Sequence, residues 1–474
     1  MDKYSRLIIS LLLAVLMGAV DSTIVLLALP TITDNLKTEL SASIWIILIY
    51  LLVIAVGTTQ LGRLGDIIAR KNIFILGISI FTIGSALCGA SANIDELISF
   101  RLIQGIGTAM VQSNSGAIIA DNFQPNKRGR VYGYTSVGYN AGAMLGIVLG
   151  GIITTFIGWR YIFYINVPIG IFAIYYGIKY INRSEPVSNK LDLPGMASLG
   201  SALILISYAA VDISTYGIRT FNMVLIGIGI VMVMFMIYIE TRVKKPLLPL
   251  KVFRIKILSY SLFASFFQSL GFLAVVFIII MYLQGIRGLT PFDSALLLLP
   301  GYLIGSVLGP YFGKLADRIG SRIPATVGLL MMAVSILIYT TLTVNSSLYI
   351  ILIASAITGT GSSMFYPANN SAVMANSPKE LYGMSSGFLR TLANIGMLGS
   401  FVISISIASL SVPRSVAFEV FAGVGKLVGG VSLSFMAGIH YSLYVSMVIT
   451  LIGAILSFSR GREERKAIET MAKT

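Results

Sequence analysis

Charge is scarce in this chain. Only 11% of its 474 residues are Asp, Glu, Lys or Arg, against about 25% in soluble domains, so a water-soluble fold is excluded. There is one cysteine and one histidine. Cys88 leaves no internal disulfide, and it lies in an apolar run where a small packing residue fits. His440, near the start of the last apolar segment, reads as a hydrogen-bonded interfacial group. Together the two build neither the usual zinc ligand sets nor a Cys–His nucleophile. No Gly-x-x-x-x-Gly-Lys-[Ser/Thr] run exists, so ATP is not the energy source. Gly105-Ile106-Gly107 lies within an apolar span and is no nucleotide loop. Clusters of catalytic type are missing too, and the chain reads as no enzyme.

Acids are the rarer sign, 19 against 34 Lys and Arg, for a net charge of +15. That excess would suit nucleic acid, but its distribution argues otherwise. The chain is 56% hydrophobic with mean hydropathy +0.88. With about 20 apolar residues needed to cross a bilayer, it divides into about fourteen segments, beginning at 7–31 and 43–64. With the N-terminus placed inside, roughly 26 basic residues fall on one side of the membrane. About six fall on the other: Lys37, Arg160, Arg219, Arg287, Arg414 and Lys426. The basic excess is therefore a topology signal. It predicts a multi-pass protein of the cell (inner) membrane with both termini cytoplasmic, and no nucleic-acid partner. The first apolar segment is too long for a cleavable signal peptide and lacks a small-residue cleavage site.

Inside that first segment lies Gly18-Ala19-Val20-Asp21-Ser22-Thr23. A carboxylate near the centre of a spanning helix costs roughly 2.5–3.5 kcal/mol. A chain that carries one faces it into a wet cavity and uses it, which points to transport.

Two segments resemble each other. Gly62-Arg63-Leu64-Gly65-Asp66-Ile67-Ile68-Ala69-Arg70-Lys71 follows the second span, and Gly313-Lys314-Leu315-Ala316-Asp317-Arg318-Ile319-Gly320-Ser321-Arg322 follows the tenth. Two related halves in parallel orientation are a known transporter architecture. The expected class is an all-α polytopic membrane protein of two six-helix bundles plus two additional helices. Its parts are 1–185, a first bundle; 186–243, the additional pair; 244–256, a basic linker; 257–460, a second bundle; and 461–474, a tail.

These motifs resemble the major facilitator superfamily, and the extra pair resembles its fourteen-span drug/proton antiporter branch. Gly62, Leu64, Asp66, Arg70 and Lys71 match the cytoplasmic-loop pattern. Arg101-Leu102-Ile103-Gln104-Gly105 matches the fourth-helix motif, Trp159 through Gly170 the signature between helices five and six, and the Asp21 run the first-helix motif. Ile67 and Ala69 depart from the loop pattern, replacing a basic residue and a glycine, whereas the second copy keeps Arg318 and Gly320. The resemblance implies a proton-coupled multidrug exporter working by alternating access, with no cofactor beyond the proton gradient. A narrow exporter of a metabolite, lipid or siderophore is the alternative; a membrane enzyme or a sensor is a remote one.

The resemblance also assigns roles. Asp21 carries the proton, with Arg101 and Gln104 tuning it: a nearby cation favours the ionised acid, so substrate and proton compete. The bland alternative for Arg101 is a side chain that snorkels to the headgroups. Gly62, Asp66, Arg70, Asp121 and Asp317 form a conformational latch, against a plain solvated loop. Gly138, Gly142, Gly146 and Gly150 share one face of helix five by their spacing of four. The resemblance makes that face a seal between the halves, where spacing alone allows simple packing. For the same spacing at Gly301, Gly305, Gly309 and Gly313, close packing is expected. Arg390, roughly 10 Å into its helix, is a candidate substrate contact or a snorkelling cation. With Asp21 as the one central carboxylate, a neutral or monocationic amphipathic organic substrate is expected. Beyond protons, that substrate and the lipid bilayer no partner is expected, and the protein should be a monomer.

Overall fold

The computed structural model describes residues 3–38, 40–43, 45–182, 193–242, 253–408 and 431–461. Arg414, Lys426, most of the 244–256 linker, and the tail beyond 461 lie outside them, as does Asp192. Within them the chain is all-helical, with fourteen helices of 15 residues or more. In order these are α1 (Lys3–Asn35), α2 (Trp45–Ile68), α3 (Arg70–Ala90), α4 (Ile94–Asn122), α5 (Pro125–Phe156), α6 (Asn166–Tyr180) and α7 (Leu193–Tyr216). They continue as α8 (Thr220–Arg242), α9 (Lys256–Met281), α10 (Pro291–Ile319), α11 (Arg322–Tyr339), α12 (Tyr349–Ala375), α13 (Tyr382–Ala408) and α14 (Val431–Ser459). Eleven spans among the described residues are long and apolar enough to cross a membrane, and Ala197–Ala209 in α7 is apolar but shorter.

Local chemistry sets where the helices start and stop. At α4, Asn93 accepts from the Glu96 N–H at 2.9 Å while the Glu96 carboxylate accepts from Ala92 N–H at 2.8 Å. This reciprocal cap satisfies donors that the helix leaves unpaired. Thr290 caps α10 likewise, and Pro125 and Pro291 occupy first-turn positions whose N–H has no helical partner anyway. Gly158 and Gly320, at φ +123° and +90°, turn the chain out of α5 and α10.

Helices α1 to α6 pack chiefly on one another, as do α9 to α14. The two groups meet along α5 against α10 and α2 against α13. The pair α7 and α8 lies outside, resting on α2 and α13, with Leu199, Leu203, Met236 and Met384 forming a small apolar cluster. Asp212 and Arg219 close the turn between them at 2.7 Å. Much of α8 is exposed, including Val231, Met234 and Tyr238, as a lipid-facing helix requires.

Glycine explains how closely the groups approach. A Cβ at Gly62 would strike the carbonyl oxygen of Gly383, one at Gly129 that of Gly313, and one at Gly133 that of Gly309. Main chain lies on main chain at these crossings.

The glycines of helix five require a correction. Gly138, Gly142, Gly146 and Gly150 face Leu12, Leu16, Val20 and Ile24 of α1, inside the same group. The glycine contacts of α5 with the other group are at Gly129 and Gly133, toward its other end. On α10 the four-residue spacing does mark close packing: Gly301 meets Ser355, Gly305 meets Asn140, and Gly309 and Gly313 meet α5.

Candidate functional site

Asp21 is wholly buried. One carboxylate oxygen accepts from Arg101 Nη1 at 2.7 Å, the other from Gln104 Nε2 at 2.9 Å. Gln104 in turn accepts from the same Arg101 nitrogen at 2.7 Å, and Arg101 Nε donates to the Ile46 carbonyl at 3.1 Å. The guanidinium lies over the Tyr50 ring, 4.0 Å from its centroid, an arrangement in which the ring's negative face attracts the cation. Helix geometry makes this cluster: Arg101 and Gln104 are three apart on α4 and project from one face toward α1. Arg101 is 1% exposed, so it does not snorkel. Cys88 packs beside Gln104, with Sγ 3.7 Å from Oε1. His440 Nε2 lies 2.7 Å from the Leu342 carbonyl oxygen, the satisfied group expected of a lone histidine.

Beside this cluster opens a central cavity of about 260 Å³, walled by α1, α2, α3, α4, α5, α9, α12 and α13. Arg101 and Tyr50 belong to its wall, while Asp21 stands behind them. Most of the wall is apolar or aromatic, with Tyr132, Tyr139 and Tyr366 prominent. Arg390 also lines it, from α13.

The repeated motifs meet at one end of the bundles. Asp66 accepts from the Gly383 and Met384 N–H groups at 2.8 and 2.9 Å, at the start of α13. Its counterpart Asp317 accepts from the Gly129 and Arg130 N–H groups, both at 2.9 Å, near the start of α5. Each acid thus caps a helix of the other group, where amide dipoles favour an anion. Arg70 joins Asp66 at 2.8 Å and Asp121 at 2.6 Å, and donates to the Lys379 carbonyl across the divide. Arg128 reaches the Tyr382 hydroxyl. Deeper, Thr391 of α13 bonds Thr58 and Thr59 of α2. The sequence motifs contained the acids; they did not contain Gly383, Gly387 or Thr391, which only the pairing of α2 with α13 identifies.

An all-helical fold built from two such groups around a cavity is that of a membrane transporter. The Major Facilitator Superfamily model matches residues 11–400, and the chain belongs to that family of transporters, which are not enzymes. The riboflavin transporter RibZ of Clostridioides difficile is 28% identical over 98% of this chain and 99% of its own. The multidrug transporter protein MdtP of Bacillus subtilis is 30% identical over 84% and 75%. The tetracenomycin C resistance and export protein of Streptomyces glaucescens is 28% identical over 85% and 76%. Among solved structures, the human organic anion transporter MFSD10 superposes with a TM-score of 0.66 at 15% identity, covering 96% of this chain and 98% of that one; this is a likeness of fold.

Proposed function

We propose that the protein is a proton-coupled exporter of small amphipathic organic compounds that works by alternating access. The observation that carries this reading is the buried Asp21–Arg101–Gln104 cluster, which meets the cavity through Arg101. A proton on Asp21 removes the charge that holds Arg101, so the α1–α4 contact and the adjoining wall change together. Substrate affinity then differs between the protonation states, the condition without which no coupling follows.

Sidedness follows from the basic excess. The end carrying Asp66 and Asp317 is then cytoplasmic, and the clasped arrangement is the outward-facing state. Protonation of Asp21 from outside releases substrate outward, the clasps open, and deprotonation to the cytoplasm resets the carrier. Lys71→Cys and Arg322→Cys variants should react with impermeant thiol reagents from the cytoplasmic side alone.

A second reading, transport of one metabolite, is favoured by the near full-length likeness to RibZ. The two separate in one experiment. Purified protein in proteoliposomes with an imposed pH gradient is offered a panel of dyes, drugs and riboflavin. Gradient-driven accumulation of several unrelated compounds, abolished in Asp21→Asn, is the expected result. Accumulation of riboflavin alone selects the narrow reading, and full accumulation by Asp21→Asn overturns the proton assignment.

A further inference from the structure

The cavity wall carries two guanidinium groups and, among the described residues, no carboxylate. Arg101 is neutralised by Asp21. Arg390 has neither an ion pair nor a hydrogen bond among the described residues, and tyrosines are its electrostatic neighbours. The cavity therefore presents one uncompensated positive charge in a largely apolar wall.

Two polar groups beside it have a hydrogen free to donate, whereas the Tyr132 hydroxyl spends its own on the Gly116 carbonyl. Asn394, one helical turn from Arg390 and on the same face, has a buried Nδ2 with no partner. The Tyr366 hydroxyl accepts from Gln268 Nε2 at 3.0 Å, which leaves its own hydrogen to donate. A guanidinium, an amide nitrogen and a hydroxyl in that state match an acceptor-only group, and a carboxylate, sulfonate or phosphate diester is one. A cationic ligand would meet repulsion from Arg390 with no acid in the wall to offset it.

We infer that Arg390, with Asn394 and Tyr366, forms an anion subsite, and that the transported compound is an amphipathic organic monoanion. Its apolar body lies against Tyr139 and Met397, and its charged group against Arg390. The inference rests on the export reading for the word transported; the subsite stands on the cavity alone. It departs from the neutral or monocationic substrate expected from sequence because that expectation made Asp21 the cavity's charge. Asp21 is instead behind the wall and already paired.

The test uses three probes with one ring system: 2-naphthoate, 2-naphthamide and 2-naphthylmethylammonium. Binding to the purified full-length protein is measured by calorimetry. The naphthoate should bind about tenfold more tightly than the amide, the difference between a charge-assisted and a neutral hydrogen bond. The ammonium should bind weakest. Arg390→Gln should remove the preference with the thermal midpoint little changed, and Arg390→Lys should keep part of it. Equal or tighter binding of the amide or ammonium, no measurable naphthoate binding, or an unchanged preference in Arg390→Gln would each overturn the inference. Transport of the same probes under a pH gradient separates the two claims. Naphthoate preference without gradient dependence leaves the subsite and removes the coupling; gradient-driven movement of the ammonium alone does the reverse.

Discussion

Arg101 and Arg390 share one cavity wall and differ in their surroundings. The first is enclosed by Asp21, Gln104, a carbonyl and an aromatic face. The second reaches the cavity with no counter-charge among the described residues. A paired buried charge holds the resting structure together, and its partner's protonation changes that structure. An unpaired one is left for something that arrives. On the proposed reading, proton and substrate fall to separate cations, coupled through the wall they share.

The comparison is broken most severely by deleting each cation in turn. Arg101→Met leaves Asp21 buried without a counter-charge and should destabilise the protein by about 3–5 kcal/mol, read as a lowered thermal midpoint in detergent. Arg390→Met removes no described partner and should change stability by about 0.5 kcal/mol or less. Similar losses in the two variants would erase the distinction.

Asp21→Asn converts Arg101 into a second unpaired cation. A loss of about 1–3 kcal/mol is expected, and combining it with Arg101→Met should recover part of the sum, since the two act on one contact. Additive losses would mean that the pair is not coupled.

The clasps carry paired charge at the other end and test whether pairing there also sets conformation. Asp66→Asn or Asp317→Asn should each weaken the clasped state by about 1–3 kcal/mol. Spin-label distances across the α2–α13 and α5–α10 crossings should then show a larger open population, with little change in probe affinity. Unchanged distances would reduce these helix-borne acids to ordinary packing contacts.

The smallest effect compares the repeat's two copies. Ala69 sits at φ +124° where the second copy has Gly320 at +90°. A non-glycine residue in that region stores about 1–3 kcal/mol, so Ala69→Gly should raise the melting midpoint by a few degrees. A lower midpoint would show that the Ala69 methyl, fully buried, contributes more by packing than it costs in strain.

The helices and the intramembrane acid were legible because a bilayer leaves few ways to satisfy backbone and charge. Asp66 and Asp317 were legible through their repeat. Which face meets which partner was not. The spacing of Gly138, Gly142, Gly146 and Gly150 defines a stripe, but a stripe has no address, and α1 rather than α10 lies against it. Gly129 and Gly133 fall outside that run. The unpaired state of Arg390 depends on three helices far apart in the chain, α5, α12 and α13, and no local pattern reports it.

The clasps have an uneven exposure to mutation. In each, the acceptor is a side chain and the donors are main-chain N–H groups of Gly383, Met384, Gly129 and Arg130. Nineteen of the twenty residue types keep that N–H; only proline removes it. Genetic drift can therefore erase a clasp through its acid or through its donor glycine, because a Cβ at Gly383 or Gly129 would strike Asp66 or Asp317 itself. Side-chain variation at the other donors, Met384 and Arg130, leaves the hydrogen bonds available.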